Sequence, residues 1–127
     1  MDQNLKIRVN YSDTDAGGVV YYGKYLTWFE IGRTEFLREH GCSFNDYVKK
    51  GFLCPVVHVE VDYKGKVEYD DEIVVETKLG KIGNSSVEFL YRVLNKGKEV
   101  VSGKTVNVFL KEWKPVNVPD EIRKLRK

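Results

Sequence analysis

Two carboxylates and a pair of glycines stand close together in the segment Tyr11–Tyr22, whose sequence is Tyr-Ser-Asp-Thr-Asp-Ala-Gly-Gly-Val-Val-Tyr-Tyr. Glycines let the backbone approach a ligand closely. The segment leads into a helical pattern, and the unpaired N–H groups at a helix start favour negative charge. A carbonyl held there would have its oxyanion stabilised by backbone donors, while Asp13 or Asp15 attacks it or activates a water. The segment therefore predicts an acyl-transfer site.

The same residues also suit a purely structural role, because Asp, Thr and Gly are ordinary residues of loops and helix caps. That alternative stays open on composition alone. A metal-binding Asp-x-Asp site is disfavoured, since the chain is short and no third acidic ligand lies nearby in the sequence. We therefore expect no metal.

The elements that must position this loop are a strand before it and a long helix after it. Polar and apolar residues alternate over Lys6–Tyr11, which predicts a strand. Apolar residues recur at helical spacing over Tyr22–His40, and Gly41 follows as a helix stop. The helix is apolar on so wide a face that we expect it to be largely wrapped by other elements. A short second helix is predicted over Ser43–Lys50, with Ser43 as its N-cap.

From Leu53 onward the period changes to two, which predicts a run of strands. They are expected over Leu53–Val67, Glu72–Lys81, Ser85–Leu94 and Glu99–Leu110. The last three are separated by turn-forming residues. The tail after Lys111 is polar and charged, and its basic end at 123–127 is expected to be solvated.

This order predicts an α+β domain, in which consecutive strands pair antiparallel and a curved five-stranded sheet closes around one buried helix. Such a sheet has two edges. The strand Leu53–Val67 is long enough to leave one of them exposed, and pairing of two copies through an edge is the usual remedy. We therefore expect a homo-oligomer.

Length and composition place the chain among globular proteins, as a single domain over residues 1–127. Hydrophobic residues make up 42% and charged residues 31%, which excludes a disordered chain. The net charge of +2 is too small to argue for nucleic acid. No apolar run is long enough to span a bilayer, and the segment beginning Met1-Asp2 lacks the pattern of a signal peptide. A cytoplasmic location is expected, with Cys42 and Cys54 as free buried thiols.

Nearly the whole chain resembles a known family. The segment Asp13-Thr-Asp-Ala-Gly-Gly-Val-Val-Tyr21, then Tyr25 and Phe29-Glu-x-x-Arg-Thr-Glu35, closely resembles the YbgC-type acyl-CoA thioesterases. These are similar to the 4-hydroxybenzoyl-CoA thioesterases of the hotdog superfamily. Weaker matches continue through Tyr63, Asp70-Asp-Glu72 and Ile82-Gly-Asn-Ser-Ser86.

The resemblance implies a hotdog fold, in which an antiparallel five-stranded sheet wraps around one long central helix. It implies hydrolysis of a small acyl-CoA thioester, with coenzyme A as part of the substrate and no other cofactor. It also implies a homo-oligomer, a dimer or a tetramer of hotdog dimers, with each site at a subunit interface. An acyl carrier protein is a possible further partner.

The family's catalytic residues carry over onto three positions of this sequence. Asp15 matches the carboxylate that serves as nucleophile or general base, and Asp13 is expected to be structural. The backbone N–H that polarises the thioester carbonyl falls on Tyr22, and Tyr11 matches a tyrosine implicated in the site. Where many YbgC-type members have a histidine, this chain has Tyr22, so no imidazole can assist Asp15 from that position.

Several other residues are candidates for binding the substrate. Gly18 and Val19 precede the helix and are expected to lie against the substrate, and His58 is expected near the acyl pocket. The hairpin containing Lys81, Ser85 and Ser86 offers a cation, hydroxyls and backbone donors for coenzyme A phosphates, although it serves equally well as a plain turn. His40 is interpreted as a helix C-cap.

Two other functions compete with the thioesterase. One is a non-catalytic hotdog module that binds acyl-CoA or an acyl carrier protein. The other is a hotdog dehydratase, which needs a histidine near the helix start. That interpretation ranks last, because neither His40 nor His58 is expected there.

Overall fold

The computed structural model describes residues 3–126. Met1 and Asp2, and Lys127 of the predicted basic end, lie outside the described residues. The elements, in chain order, are β1 (Gln3–Arg8), a 3-10 turn (Tyr11–Asp13), α1 (Lys24–Glu39), α2 (Phe44–Lys49), β2 (Phe52–Leu53), β3 (Val56–Tyr63), β4 (Glu72–Ile82), β5 (Ser86–Asn95), β6 (Lys98–Val108), β7 (Leu110–Lys111), β8 (Lys114–Pro115) and α3 (Asp120–Arg123).

A five-stranded antiparallel sheet in the order β1-β4-β5-β6-β3 forms the body of the fold, and α1 packs against β4, β1 and β5. Phe29, Phe36 and Leu37 of α1 are at most 1% exposed. The ring of Phe29 stacks on Tyr91 of β5 at 4.2 Å between centroids. The predicted α+β architecture is confirmed, because an apolar helix of this kind is buried by the curved sheet.

The strand pairing differs from the prediction in one respect. β3 pairs with β6 and not with β4, which follows it in sequence. Residues 64–71 carry the chain from the β3 edge to the other side of the sheet, past the start of α1. Val67 is fully buried on this path, and its carbonyl accepts a 2.8 Å hydrogen bond from the amide of Val20. The crossover places β3 at the edge of the sheet beside β6, so the order of the strands in the sheet differs from their order in the chain.

Three predicted boundaries also shift. The first strand was predicted over Lys6–Tyr11 but runs over Gln3–Arg8, and Tyr11 belongs to the 3-10 turn that follows. The prediction of one strand over Leu53–Val67 is wrong, because Pro55 lacks a backbone donor and separates β2 from β3. The long helix begins at Lys24, with Gly23 as its N-cap, so Tyr22 lies in the preceding turn. The second helix is confirmed, and Ser43 Oγ accepts a hydrogen bond from the amide of Asp46. His40 is the C-cap of α1 as predicted, and both cysteines are free.

The basic end is solvated only in part: within 123–126, Lys124 and Arg126 are exposed and Arg123 is partly buried, while the segment before it packs on the domain. Val118 and Ile122 are at most 1% exposed and belong to the core. Arg123 donates to the carbonyl oxygens of Gly83 and Asn84, and Arg126 donates to that of Gly80. The C-terminal segment therefore holds the β4–β5 hairpin. Within residues 3–126, no helix is both long and apolar enough to cross a membrane.

Candidate active site

The Asp15 loop is a tight hairpin. Thr14 and Val20 form an antiparallel bridge, and the amide of Asp15 donates to the carbonyl of Val19 at 2.9 Å. The amide of Gly18 then donates to the carbonyl of Asp15 at 3.0 Å. Gly18 has a φ of +79°, in the left-handed region that glycine adopts without a Cβ penalty. The glycine pair thus turns the chain and leaves Asp15 at the tip of the hairpin, exposed to solvent.

One oxygen of the Asp15 carboxylate is held by its own loop. Oδ1 accepts a 2.8 Å hydrogen bond from the amide of Gly17. A side chain on Gly17 would crowd this oxygen, since its Cβ would lie 3.2 Å from Oδ1. No residue within 3–126 donates a hydrogen bond to Oδ2. The loop therefore orients the carboxylate through one oxygen and leaves the other available.

Asp13 has the contacts expected of the structural aspartate. It is only 6% exposed. Its Oδ2 accepts a 2.9 Å hydrogen bond from the amide of Asn10, and its Oδ1 lies 3.2 Å from Nζ of Lys24. The carbonyl of Asp13 accepts from the amide of Tyr21. These contacts fasten the loop to the first residue of α1.

A cavity of about 250 Å³ opens beside Asp15. Its walls come from the loop and helix start on one side and from the segment 63–67 on the other. The lining residues are Asp15, Val19, Val20, Tyr22, Tyr25, Tyr63, Gly65, Lys66 and Val67. The crossover from β3 to β4 thus supplies one side of the cavity. No local sequence motif predicts that side, because it is far from Asp15 in the sequence.

Tyr22 also lines this cavity. No group within residues 3–126 accepts a hydrogen bond from its amide. Its carbonyl accepts a 2.9 Å hydrogen bond from the hydroxyl of Tyr63, which holds the backbone of this turn in place. The Tyr22 ring is 65% exposed and lies 4.7 Å from that of Tyr21.

Two of the cavity residues, Tyr25 and Tyr63, are tyrosines with raised pKa values. Tyr25 is 3% exposed and its ring packs edge-on against that of Tyr63, at 5.6 Å between centroids. Burial, followed by the nearby Tyr63 phenol, raises the pKa of Tyr25 to about 12. Burial also raises the pKa of Tyr63. Both phenols are therefore neutral at physiological pH.

The structure brings Asp15, Val19 and Tyr22 together and places Gly18 next to them in the loop. It does not bring Tyr11 into the cavity. The Tyr11 side chain is 77% exposed, and its ring packs edge-on against Tyr69 at 5.7 Å. Only its carbonyl supports the loop, by accepting a hydrogen bond from the Thr14 hydroxyl.

The other predicted binding residues lie away from Asp15 within one chain. His58 is on β3, and its Nε2 is 2.8 Å from Oε2 of Glu60, outside the cavity lining. Lys81, Ser85 and Ser86 sit around the β4–β5 turn, at the opposite end of β4 from the Asp15 loop. An eleven-residue strand spans on the order of 30 Å, so this hairpin cannot reach the Asp15 of its own chain.

Tyr63 and Lys66 are cavity residues that the motifs did not assign to the site. Tyr63 was noted as part of the family resemblance, without a role. From the sequence, Lys66 suits either a phosphate-binding surface or an ordinary solvated position, and its side chain is 71% exposed. Only the family's aromatic residue at position 63 could have pointed to this wall, because its placement depends on the crossover.

The sequence model of the thioesterase-like superfamily matches residues 9–125. The chain belongs to this superfamily. The acyl-CoA thioesterase YbgC of Haemophilus influenzae is 36% identical over 124 residues, which cover 94% of this chain and 90% of that protein. The resemblance to YbgC-type proteins is therefore confirmed, and with it the class of enzyme, a thioester hydrolase.

Solved structures agree with this assignment. The DHNA-CoA thioesterase from Staphylococcus aureus superposes with a TM-score of 0.93 at 30% identity, covering 98% of this chain and 91% of that one. A protein from Aquifex aeolicus superposes with a TM-score of 0.93 at 28% identity, covering 98% and 99%. The hotdog fold of this thioesterase superfamily member is thereby confirmed.

Proposed function

We propose that this thioesterase superfamily member hydrolyses acyl-CoA thioesters with Asp15 as its catalytic carboxylate. One observation carries the proposal: Asp15 and Tyr22, whose amide has no hydrogen-bond acceptor within residues 3–126, line the same cavity at the start of α1. Hydrolysis of a thioester requires a carboxylate and an oxyanion donor that reach the same carbonyl group. The names of the YbgC relative and of the staphylococcal structure support acyl-CoA as the substrate class.

The chemistry follows from the direction in which charge develops. The thioester carbonyl oxygen accepts a hydrogen bond from the Tyr22 amide, close to the positive end of the α1 dipole. Asp15 then attacks the carbonyl carbon, or it removes a proton from a water that attacks. In either case the C–S bond breaks, coenzyme A leaves as a thiolate that takes up a proton, and water supplies the oxygen of the carboxylic acid. The free Oδ2 of Asp15 suits both roles.

Tyr22 stands where many YbgC-type proteins have a histidine. In this chain a hydrogen bond from Tyr63 holds the backbone at Tyr22. The Tyr63 hydroxyl fixes the Tyr22 carbonyl, so the adjoining turn is held without an imidazole. His40 caps the far end of α1 and His58 lies on the outer edge strand, so neither lines the Asp15 cavity. A dehydratase mechanism, which needs such a histidine, is correspondingly disfavoured.

We also propose that the active enzyme is a homo-oligomer. β3 is an edge strand on which Val56, Val57 and Val59 are 41–59% exposed. Apolar edges of this kind are usually covered by a second copy. If the hairpin with Lys81, Ser85 and Ser86 binds coenzyme A phosphates, it must do so for the Asp15 of another subunit, because it lies too far from its own.

Replacement of Asp15 by Asn tests the catalytic proposal. The side chain keeps its shape and can still accept the Gly17 amide, so the fold should be unaffected while the base or nucleophile is lost. We expect kcat/KM on acyl-CoA thioesters to fall by at least about a hundredfold. The matched control is Asp46→Asn on the exposed first turn of α2, which should retain activity.

The assay follows release of the free thiol from a panel of acyl-CoA thioesters of increasing chain length. Unchanged activity of Asp15→Asn would refute the assignment of this residue. Tight binding of acyl-CoA without hydrolysis by the natural sequence would instead favour the non-catalytic module. The same binding measurement with an acyl carrier protein in place of acyl-CoA tests whether that protein is the partner of such a module.

A further inference from the structure

Tyr25 is a buried tyrosine whose hydroxyl group has no partner. Three tyrosines, Tyr25, Tyr47 and Tyr91, are at most 4% exposed. The hydroxyl of Tyr47 donates to Oε2 of Glu121 at 2.9 Å, and that of Tyr91 lies 2.6 Å from Oγ1 of Thr105. The Tyr25 hydroxyl forms no hydrogen bond with any residue in the part of the chain that the structure describes. Buried tyrosine hydroxyls usually have a partner, so this exception indicates a group that binds to Tyr25.

The Tyr25 hydroxyl oxygen has access to open space. Among the described residues, the fully enclosed side-chain atoms without a partner are Thr77 Oγ1, Asn95 Oδ1 and Asn107 Oδ1, and the Tyr25 oxygen is not one of them. Tyr25 is only 3% exposed, and it lines the Asp15 cavity. The small remaining exposure of this residue therefore lies toward that cavity, where its hydroxyl is available to a bound molecule.

The start of α1 directs the Tyr25 side chain toward the turn that contains Tyr22. Tyr25 is the second residue of α1. Because Cα–Cβ bonds tilt toward the N-terminus of a helix, its side chain leans back over the preceding turn. Tyr63 connects the two residues: its hydroxyl donates to the Tyr22 carbonyl at 2.9 Å, and its ring packs edge-on against that of Tyr25 at 5.6 Å. The phenol of Tyr25 and the free amide of Tyr22 therefore belong to one side of the cavity.

An oxyanion can accept more than one hydrogen bond. When the thioester carbonyl is attacked, negative charge develops on its oxygen, and preorganised amides and side-chain hydroxyls are the donors that stabilise it. A cation beside the oxyanion would also pair with the Asp15 carboxylate, whereas a neutral phenol does not. Burial raises the pKa of Tyr25 to about 12, so the phenol keeps its hydrogen under the conditions of a thioesterase assay.

We propose that the Tyr25 hydroxyl donates a second hydrogen bond to the oxyanion, beside that of the Tyr22 amide, and is a further catalytic residue. The inference rests on the proposed hydrolysis of acyl-CoA. The carbonyl oxygen accepts both hydrogen bonds as its carbon becomes tetrahedral. The hydroxyl keeps its hydrogen throughout, because the carbonyl double bond forms again when the C–S bond breaks. An interaction that strengthens only in the transition state raises kcat and leaves KM almost unchanged.

Replacement of Tyr25 by Phe removes the hydroxyl and keeps the ring, which packs against Trp28 and Tyr63. We expect kcat on acyl-CoA to fall about a hundredfold, with KM within about twofold of the natural value. Because the hydroxyl has no partner in the protein, its loss should not lower the free energy of unfolding. A hydroxyl with a purely structural role would give the opposite pair of results.

The matched control is Tyr47→Phe, the same chemical change at a similarly buried residue that does not line the Asp15 cavity. The Tyr47 hydroxyl donates to Glu121, so this variant should be less stable than the natural sequence while its kcat is retained. Release of the free thiol and urea unfolding are measured for both variants. Activity should fall only in Tyr25→Phe, and stability only in Tyr47→Phe.

Two analogues of acyl-CoA that resist hydrolysis locate the hydrogen bond. In both, a methylene group separates the sulfur from the carbonyl. One is a methyl ketone, which resembles the substrate, and the other is a trifluoromethyl ketone, whose hydrate resembles the tetrahedral intermediate. Calorimetric titration should show that Tyr25→Phe binds the trifluoromethyl ketone about a hundredfold more weakly and the methyl ketone within about twofold of the natural affinity.

Three results would overturn the inference while leaving the thioesterase intact. The first is a kcat of Tyr25→Phe within about twofold of the natural value. The second is an equal loss of affinity for both analogues, which would assign the hydroxyl to the substrate in its ground state. The third is a loss of kcat that disappears with an aryl thioester, whose thiolate leaves readily, because this would assign the hydroxyl to the sulfur. Absence of hydrolysis by the natural sequence would instead overturn the proposed function itself.

Discussion

Gly32 lies where α1 packs closely against β4, and its replacement by Ala measures how tight that contact is. A Cβ at this position would overlap Oγ1 of Thr77, and Val75 Cγ1 would be 3.5 Å away. Thr77 is fully buried on β4, between β1 and β5. Its side chain is branched at Cβ and anchored in the sheet, so it cannot move aside as a flexible side chain would.

Two opposing effects set the magnitude. Ala is favoured over Gly in a helix interior by about 1 kcal/mol. An extra carbon forced into a packed core costs about 1–3 kcal/mol, and overlap with an anchored neighbour belongs in the upper part of that range. We therefore expect Gly32→Ala to lower the free energy of unfolding by about 1–2 kcal/mol. For a chain of this length the Tm should fall by roughly 3–8 °C.

The measurement is urea and thermal unfolding followed by circular dichroism, at one fixed protein concentration because oligomers unfold in a concentration-dependent way. Thr77→Ala removes the overlapping atoms, so the double variant should recover about 1–3 kcal/mol relative to the sum of the single ones. A Gly32→Ala protein as stable as the natural sequence, or more so, would refute the close approach of α1 to β4.

Two further predictions concern individual groups. Because burial raises the pKa of Tyr25 from 10.0 to about 12, its contribution to stability is complete below pH 10 and is lost as the pH rises toward 12; urea unfolding should show this loss, and Tyr25→Phe should lack that part of the slope. Ser43 caps α2 through Asp46, so Ser43→Ala should lower the free energy of unfolding by about 1 kcal/mol while Ser43→Asp retains it, and equal losses in both variants would contradict the capping role.

Local patterns were sufficient for most of the elements. Helical spacing located α1 to within two residues of its observed start, and alternation located β4, β5 and β6 to within one or two residues of their ends. Ser43 was identifiable as a cap because its role depends on residues within one helical turn. These features are encoded by neighbours in the sequence, and a single sequence contains that information.

Features that depend on distant segments were not predictable in the same way. The pairing of β3 with β6 and the burial of Ile122 depend on contacts between segments that are far apart in the sequence. Nothing near Ile122 distinguishes it from a residue of a solvated tail, since its neighbours are charged. Its burial becomes evident only when Arg123 and Arg126 are seen to bind the β4–β5 hairpin.

The candidate site also has one part that was predictable from local sequence and one part that was not. The loop with Asp15 and the turn with Tyr22 are continuous in sequence, so residue types and family resemblance were enough to propose them. The opposite wall comes from residues 63–67, more than forty positions later. Tyr11 was misplaced for a related reason: its distance from Asp15 in sequence is short, but the 3-10 turn directs its ring toward Tyr69.

The Asp15 cavity is built from two separate stretches of chain, so residues of one stretch can be substituted while the other is left unchanged. The stretch with Asp15 is constrained by its hairpin, by the salt bridge between Asp13 and Lys24, and by the need for a glycine pair. The stretch 63–67 is less constrained at Lys66, whose side chain is mostly exposed to solvent. Directed evolution aimed at a new acyl group can therefore begin with libraries at Lys66, without changing Asp15 or Tyr22.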